Sequence, residues 1–365
     1  MTQSTKVSSP NNPRRESFHT DVAVIGDGVI GLSTAHQLGR LGVACCLMGS
    51  RREGFASGAA AGLLAPSIGS LAAPVKRFFD ASLDRFPAYL EPLQEIDAGL
   101  RLLRGLLQVV DDSTPLSEHS VLSAAELTAL EPRLHAPLGA ILHRRDAALD
   151  NVRLVDALRC AVERQSSTRY LHVDVTRIDV NGSGVGVHLS NGTTVQAGWV
   201  VLSAGGWTPQ IQGIPRRLPV SPLKGQMLAV ASSALQHPVT GNEIYLVPRG
   251  AEIVIGATVE HAGFDLSTSD EAIDGLRDAA IRLVPELAKA PVTRRWAGIR
   301  PATPDMLPII GSEPSAPRLL YACGHSKNGI LLAPATAAAI AGLVSGAPSE
   351  FDLSPFAAAR FDGHS

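Results

Sequence analysis

The sequence predicts an α/β fold of two interleaved lobes, one a doubly wound parallel sheet and the other an α+β unit on an antiparallel sheet. Three observations carry this. A β-branched strand, a glycine-rich turn, a helix-spaced stretch and a second strand follow one another from Asp21. A block of period-two alternation fills much of the middle of the chain. An apolar strand running into an Ala-rich helix returns near the C-terminus, so elements of the first type stand at both ends and in the middle. The chain has 365 residues, 45% of them hydrophobic, more than one mean domain would hold.

In chain order, residues 1–20 are polar, hold two prolines and read as a disordered tail with no signal peptide. DVAVIG is a strand, GDGVIG a turn, LSTAHQLGRLG a helix and VACCLM a strand, together a Rossmann-like βαβ unit. Residues 75 to 132 read as helices, from the apolar spacing of VKRFFDASLDRFPAYLEPLQEI and LSAAELTALEP. Asp146 to Gln165 reads as a further amphipathic helix behind a loop. YLHVDVTRIDV and GVGVHLSNGTTVQAGWVVLSAG alternate around Asn191-Gly192, a strong hairpin signal. QMLAVA, EIYLVP and EIVIGATV read as an antiparallel sheet, RDAAIRLVPELAKA as a helix and RLLYACGH as a buried strand. The expected division is 21–80, 145–210 and 305–365 for the doubly wound lobe, and 81–144 with 211–304 for the other.

Charge and composition narrow the function class. With 32 Lys and Arg against 34 Asp and Glu, the net charge is −2, which favours neither nucleic acid nor an anionic membrane surface. A small-molecule enzyme fits better. The uncharged run Gly329 to Ser349 is rich in Ala and interrupted by Pro334 and Gly342, better suited to a helix buried in protein than to a bilayer. Cys45, Cys46, Cys160 and Cys323 show no CxxC spacing, so reduced thiols in the cytoplasm are expected. The oligomeric state, a homo-oligomer included, is left open.

Gly26, Gly28 and Gly31 follow a strand and open a helix, around Val29 and Ile30. The first permits the tight turn, the second a close backbone approach to a pyrophosphate, and the third close helix-to-strand packing. The second strand ought to end in an acid for the ribose hydroxyls, but Gly49 stands there, followed by Ser50, Arg51, Arg52 and Glu53. The arginines could meet the 2′-phosphate of NADP, Ser50 and backbone groups could hold another dinucleotide's ribose, Glu53 could swing back, or both arginines could be solvated. The glycine loop alone does not choose between nicotinamide and flavin. Arg300, inside the apolar run WAGIRPATPDMLPIIG, calls for an anion, because a guanidinium stays charged and is costly to bury alone. An ion pair with Asp305 would be the structural explanation.

DVAVIGDGVIGLSTAHQLGRLG, SGAAAGLLAP, VVLSAGGWT, LKGQML, IYLVPRG, EIVIGATVE, WAGIRPATPDMLPIIG and GHSKNGILLAPAT occur in one order along the chain. In this it resembles the FAD-dependent D-amino-acid oxidase superfamily, and most closely the glycine oxidases linked to thiamine biosynthesis. The resemblance runs from Asp21 to about Gly346. It implies an FAD extended through the glycine-loop lobe, with its ring against the antiparallel sheet. Gly26, Gly28, Val29, Ile30 and Gly31 then form the pyrophosphate loop, with Ser50 and Arg51 at the ribose. Ala60, Ala61, Gly62 and Leu63 lie beside the flavin, Ala204, Gly205, Gly206 and Trp207 form a second loop, and His325, Lys327, Asn328, Gly329, Ile330 and Leu331 border the pyrimidine end. There the start of the last helix would stabilise negative charge on the reduced ring.

Arg300 is implied to bind the carboxylate of an amino acid, a bidentate task that suits its planar fork, helped by the Tyr245 hydroxyl. For Tyr245 the alternative is an ordinary sheet tyrosine. Leu63, Val259, Ser326 and Lys327 would wall the substrate pocket; Ser326-Lys327 departs from the family's aromatic residue followed by Arg. His325 could touch the flavin or make a structural hydrogen bond, His261 reads as a solvated edge, and Lys224 either assists oxygen or caps a strand. The implied reaction is hydride transfer from Cα of glycine or a small D- or N-methyl amino acid to flavin N5, with O2 reduced to H2O2 and the imino acid hydrolysed to an oxo acid and ammonia. An FAD dehydrogenase with another acceptor and a redox-inert FAD-binding scaffold are the competing readings.

Overall fold

The computed structural model describes residues 17–112, 114, 120–181, 184–241, 243–348 and 350–363. The first sixteen residues of the expected tail lie outside this set. The expected tail's last four residues do not stay loose: β1 (Ser17–Ile25) starts at Ser17 because Ser17 to Thr20 pair with Thr194 to Ala197 of a neighbouring strand.

After β1 come α1 (Val29–Arg40), β2 (Cys45–Met48), α2 (Ala56–Ala59), β3 (Leu63–Leu64), α3 (Ala73–Asp84) and α4 (Phe86–Gln94). Then follow β4 (Leu103–Val109), α5 (Ala124–Leu130), β5 (Ala140–Ala148), α6 (Asn151–Arg164), β6 (Thr168–Leu171), β7 (Val175–Asn181), β8 (Gly184–Leu189) and β9 (Thr194–Leu202). The remainder is β10 (Ser221–Ala231), β11 (Val239–Gly241), β12 (Ile244–Arg249), β13 (Glu252–Gly256), α7 (Asp270–Leu283), β14 (Val292–Ala302), β15 (Ile309–Glu313), β16 (Ala316–Cys323) and α8 (Gly329–Ser345).

Two sheets of eight strands organise these elements. In the first, β16, β9, β1, β2 and β6 run parallel in that order, β15 pairs antiparallel with β16, and the β7–β8 pair extends from β9. The second has the order β14-β10-β13-β12-β11-β4-β5-β3 and is antiparallel except where β11 meets β4. The β8–β9 turn falls at Asn191-Gly192, with Gly192 at φ +87, as the hairpin signal requires.

Two strands replace expected helix or loop. Leu103–Val109 is β4, because its apolar run suits either period and pairing with β5 and β11 decides between them. Ala140–Ala148 is β5, so Asp146 closes a strand and does not open a helix. The helix starts at Asn151, where the Asp150 carboxylate accepts from the Val152 and Arg153 N–H groups.

The largest core packs α1, α3, α6 and α8 on one face of the parallel sheet. With the turn before it, α8 is long and apolar enough to cross a membrane by length and composition alone, yet it packs along α1 and α3. Pro334 interrupts its hydrogen-bond ladder. There the Ser82 hydroxyl inserts itself, donating to the Leu331 carbonyl at 2.7 Å and accepting from Ala335 N–H at 3.2 Å. A second core joins the antiparallel sheet to α7.

Candidate active site

The C-terminal ends of β1, β2, β9 and β16 open onto one cleft of about 960 Å³ including its mouth, the position at which open parallel sheets bind ligands. Gly26 stands at φ +109, and a Cβ there would meet the Ser203 carbonyl at 2.4 Å. Gly31 lies behind the loop, where a Cβ would come within 1.8 Å of the Gly26 carbonyl. Only glycines allow α1 to start this close to β1 and β9. Gly28 caps α1 without a side chain, and no acid occupies the first turn, so the positive end of the helix faces the cleft. The Ser57 hydroxyl, which also lines the cleft, accepts from Val29 N–H at 2.9 Å. This is a pyrophosphate cradle in shape and polarity, and it fits an FAD.

Val29, Ile30, Ser50, Ala204, Gly205, Trp207, His325 and Gly329 also line the cleft. Arg51 does not, because its guanidinium turns outward to Glu163 at 3.4 Å with both side chains about half exposed. Arg52 lines the cleft instead, donating to Asp174 through Nε at 3.1 Å and Nη2 at 2.9 Å, over the face of Trp207. Both arginines are thus already paired with acids, which disfavours the 2′-phosphate reading.

The residues expected to meet the substrate stand on the second sheet. Register places Trp296, Met227, Gly256 and Tyr245 in one row across β14, β10, β13 and β12, with their side chains on one face. Gly298 and Arg300 follow on the same face of β14. A Cβ on Gly225 would lie 2.4 Å from the Arg300 Nη atoms, and one on Gly256 would lie 2.8 Å from the Tyr245 hydroxyl. These two glycines therefore let the guanidinium and the phenol lie over the sheet and meet. Burial pushes the Tyr245 pKa up, partly offset by the Arg300 charge and its hydrogen bond, so the phenol stays neutral. Arg300 Nη1 donates to the carbonyls of Thr258 at 3.0 Å and Lys224 at 3.3 Å. Among the described residues no carboxylate pairs with it; Asp305 is bound to Arg360 at 2.7 Å.

Opposite this row, the segment from Phe55 to Leu63 is held on three sides. Trp296 Nε1 donates to the Ala59 carbonyl, Arg249 Nη2 to the Ala61 carbonyl, and Asn151 Nδ2 to the Ser57 carbonyl. Ala61 and Leu63 thereby pack with Met227, Tyr245, Val247 and Trp296. Gly62, at φ +76, passes so near the Leu149 carbonyl that a Cβ would stand 1.9 Å from it. Ala60 is half-buried against the large core.

Val259 is 68% exposed and does not wall the site, because its neighbours Thr258 and Glu260 turn inward to Gln226 and Lys224. Buried Lys224 holds Asp265 at 2.5 Å and Glu260 at 3.7 Å, an ion-paired strap that keeps the Thr258 carbonyl on Arg300. Lys327 is exposed, since the short turn Ser326–Asn328 aims it outward, while Ile330 and Leu331 face the core. Ser326 is buried, its hydroxyl on Met306 Sδ, and Asn328 stands at the start of α8 without a side-chain cap. The residue types of Asp27, Ser57 and Thr258 carried no sequence signal for the site.

His325 is buried, with Nε2 3.1 Å from the Thr336 hydroxyl of α8, and burial lowers its pKa to about 3. The unfolded imidazole titrates near 6.5, so the folded state must exclude a proton that the unfolded chain binds below that pH. Stability is therefore complete above pH 6.5 and is lost as pH falls from there toward 3. Between pH 6.5 and 5 the loss is about 2 kcal/mol from this residue. Thermal unfolding at pH 7 and 5 should show a smaller drop in His325→Asn than in the wild type.

A family of FAD-dependent oxidoreductases matches residues 21–343. Glycine oxidase of Geobacillus kaustophilus is 34% identical over 369 residues, covering 94% of this chain and 97% of the relative. Hydrogen cyanide synthase subunit HcnC of Pseudomonas protegens is 31% identical, covering 94% and 96%. The crystal structure of glycine oxidase from Geobacillus kaustophilus superposes with a TM-score of 0.86 at 30% identity, over 94% of this chain and all of that one. With a glycine cradle that fits its cofactor, the chain belongs to the FAD-dependent oxidoreductases and is a glycine-oxidase-like amino-acid oxidoreductase.

Proposed function

We propose that the enzyme oxidises glycine or a small D- or N-methyl amino acid, with O2 as the acceptor, to an imino acid that water converts to an oxo acid and ammonia. The observation that carries this reading is Arg300: a partly buried guanidinium beside a neutral Tyr245 hydroxyl, with backbone carbonyls as its bonded partners and space cleared by Gly225 and Gly256. A carboxylate matches such a planar fork with two parallel hydrogen bonds. When bound in the glycine cradle, FAD would supply the two-electron redox chemistry that the oxidation at Cα needs, with O2 as the terminal oxidant.

The chain's residues bind and orient. Arg300 and Tyr245 would fix the carboxylate, and Leu63, Met227 and Trp296 give the face beside it an apolar, water-poor character. Lys224 is bound to two acids and His325 to Thr336, so neither is free as a base. The substrate amine must then arrive neutral, which makes the reaction faster as pH rises toward the amine's own pKa. A cytoplasmic setting agrees with four free cysteines, three of them buried.

The test is the visible absorption of the purified protein, followed by glycine, sarcosine or D-alanine without oxygen. Bleaching by one of them, with peroxide formed in step with imino acid when air is admitted, is the expected result. A flavin that bleaches but reoxidises only with another acceptor would replace O2, and one that none of them bleaches would remove the proposed substrates.

A further inference from the structure

Gly49 stands at the end of β2, where a dinucleotide fold ordinarily presents an acid to the ribose. The structure shows what fills that space. A Cβ on Gly49 would lie 2.2 Å from the Asp27 Cγ, so a side chain at 49 and the carboxylate of Asp27 exclude each other. Asp27 belongs to the glycine loop, between Gly26 and Gly28, and reaches across to the end of β2 while lining the cleft. Its Oδ2 accepts from the Tyr170 hydroxyl at 2.8 Å and from Arg51 N–H at 3.2 Å. Arg51 adopts φ +50, a left-handed conformation that an arginine rarely takes, with its N–H on the carboxylate. Among the described residues, Oδ1 has no protein donor in hydrogen-bond range.

The competing acids are ion-paired or turned away. Asp174 Oδ1 already accepts from Ser50 at 2.5 Å and from two nitrogens of Arg52. Glu53 is exposed and does not line the cleft. We propose that Asp27 replaces the missing acid of β2, its free carboxylate oxygen accepting the hydroxyls of the adenosine ribose of FAD. The acid has moved from the strand end to the glycine loop, and Gly49 is the vacancy that admits it. A carboxylate accepting from hydroxyls forms a charge-assisted bond, stronger than a neutral one.

The proposal rests on the FAD assignment and is independent of which amino acid is oxidised. Its test is the affinity of apoprotein, freed of flavin, for FAD and for an FAD analogue lacking both hydroxyls of the adenosine ribose, read by quenching of flavin fluorescence. Wild type should bind FAD about 10- to 100-fold more tightly than the analogue. Asp27→Asn, which keeps an acceptor for Tyr170, should lose affinity for FAD and little for the analogue, closing the gap. Moving the acid back in the double variant Asp27→Gly, Gly49→Glu should reopen it. The proposal is overturned if wild type binds both flavins equally, or if Asp27→Asn leaves the gap unchanged. Apoprotein that takes up neither flavin would overturn the cofactor assignment along with it.

Discussion

Arg300→Ala should lower kcat/KM for the amino acid by roughly two to three orders of magnitude, the usual loss when one partner of a desolvated, hydrogen-bonded charge pair is removed. The flavin spectrum should stay that of the wild type, because Arg300 does not line the cleft built on the glycine loop. Arg300→Lys keeps the charge but not the fork, and should recover only part of the loss. Tyr245→Phe removes one neutral donor and should cost about tenfold. Gly225→Ala gives a sharper control, since its methyl group would stand 2.4 Å from the guanidinium and so would shift it without altering its charge. A displacement of that order is expected to cost up to about a hundredfold. Anaerobic stopped-flow reduction of the flavin over a range of glycine concentrations separates binding from chemistry. If Arg300→Ala reduces its flavin as fast as wild type at the same glycine concentration, Arg300 does not hold the carboxylate.

Residue type carried much of this arrangement into the sequence, and the limits are instructive. The βαβ unit, the Asn191-Gly192 hairpin and the antiparallel β10, β12 and β13 were legible because period and turn chemistry agree there. β4 and β5 were not, since Leu103–Val109 suits either period and β5 carries His143, Arg144 and Arg145 in its middle. Arg300 stood out as a charge in an apolar strand. Gly225 and Gly256 could not, because what they contribute is space, and space becomes visible only once register puts them beside Arg300 and Tyr245. Arg51 and Arg52 looked equivalent in sequence, but only Arg52 reaches the cleft. Val259 was read as a wall from the family resemblance, yet the inward turn of Thr258 and Glu260 leaves it in solvent.

Gly31→Ala should be among the most damaging single methyl groups in the described fold. It would stand 1.8 Å from the Gly26 carbonyl and 2.8 Å from the Ser203 hydroxyl. The first contact is backbone, and Gly26 has no room to retreat, since its own Cα hydrogen side abuts Ser203 and Ala204 and its φ of +109 is open only to glycine. Relief therefore requires α1 to move off β1, which disturbs Val29, Leu32 and Ala35 in the main core. Overpacking against fixed backbone costs about 3 kcal/mol or more. For a chain of this size, Tm of the apoprotein should then fall by roughly 4 °C or more. Gly28→Ala supplies the contrast. Its methyl group would lie 3.3 Å from the Ser57 hydroxyl and would point into the cleft, where it obstructs an approaching pyrophosphate more than it strains the fold. The two substitutions should thus separate, with Gly31→Ala lowering the apoprotein Tm and Gly28→Ala lowering FAD affinity at nearly wild-type apoprotein Tm. Differential scanning calorimetry of both apoproteins, with a flavin titration of each, reads the two effects independently. A Gly31→Ala protein with wild-type Tm and a full complement of flavin would mean that α1 is not pinned against the glycine turn.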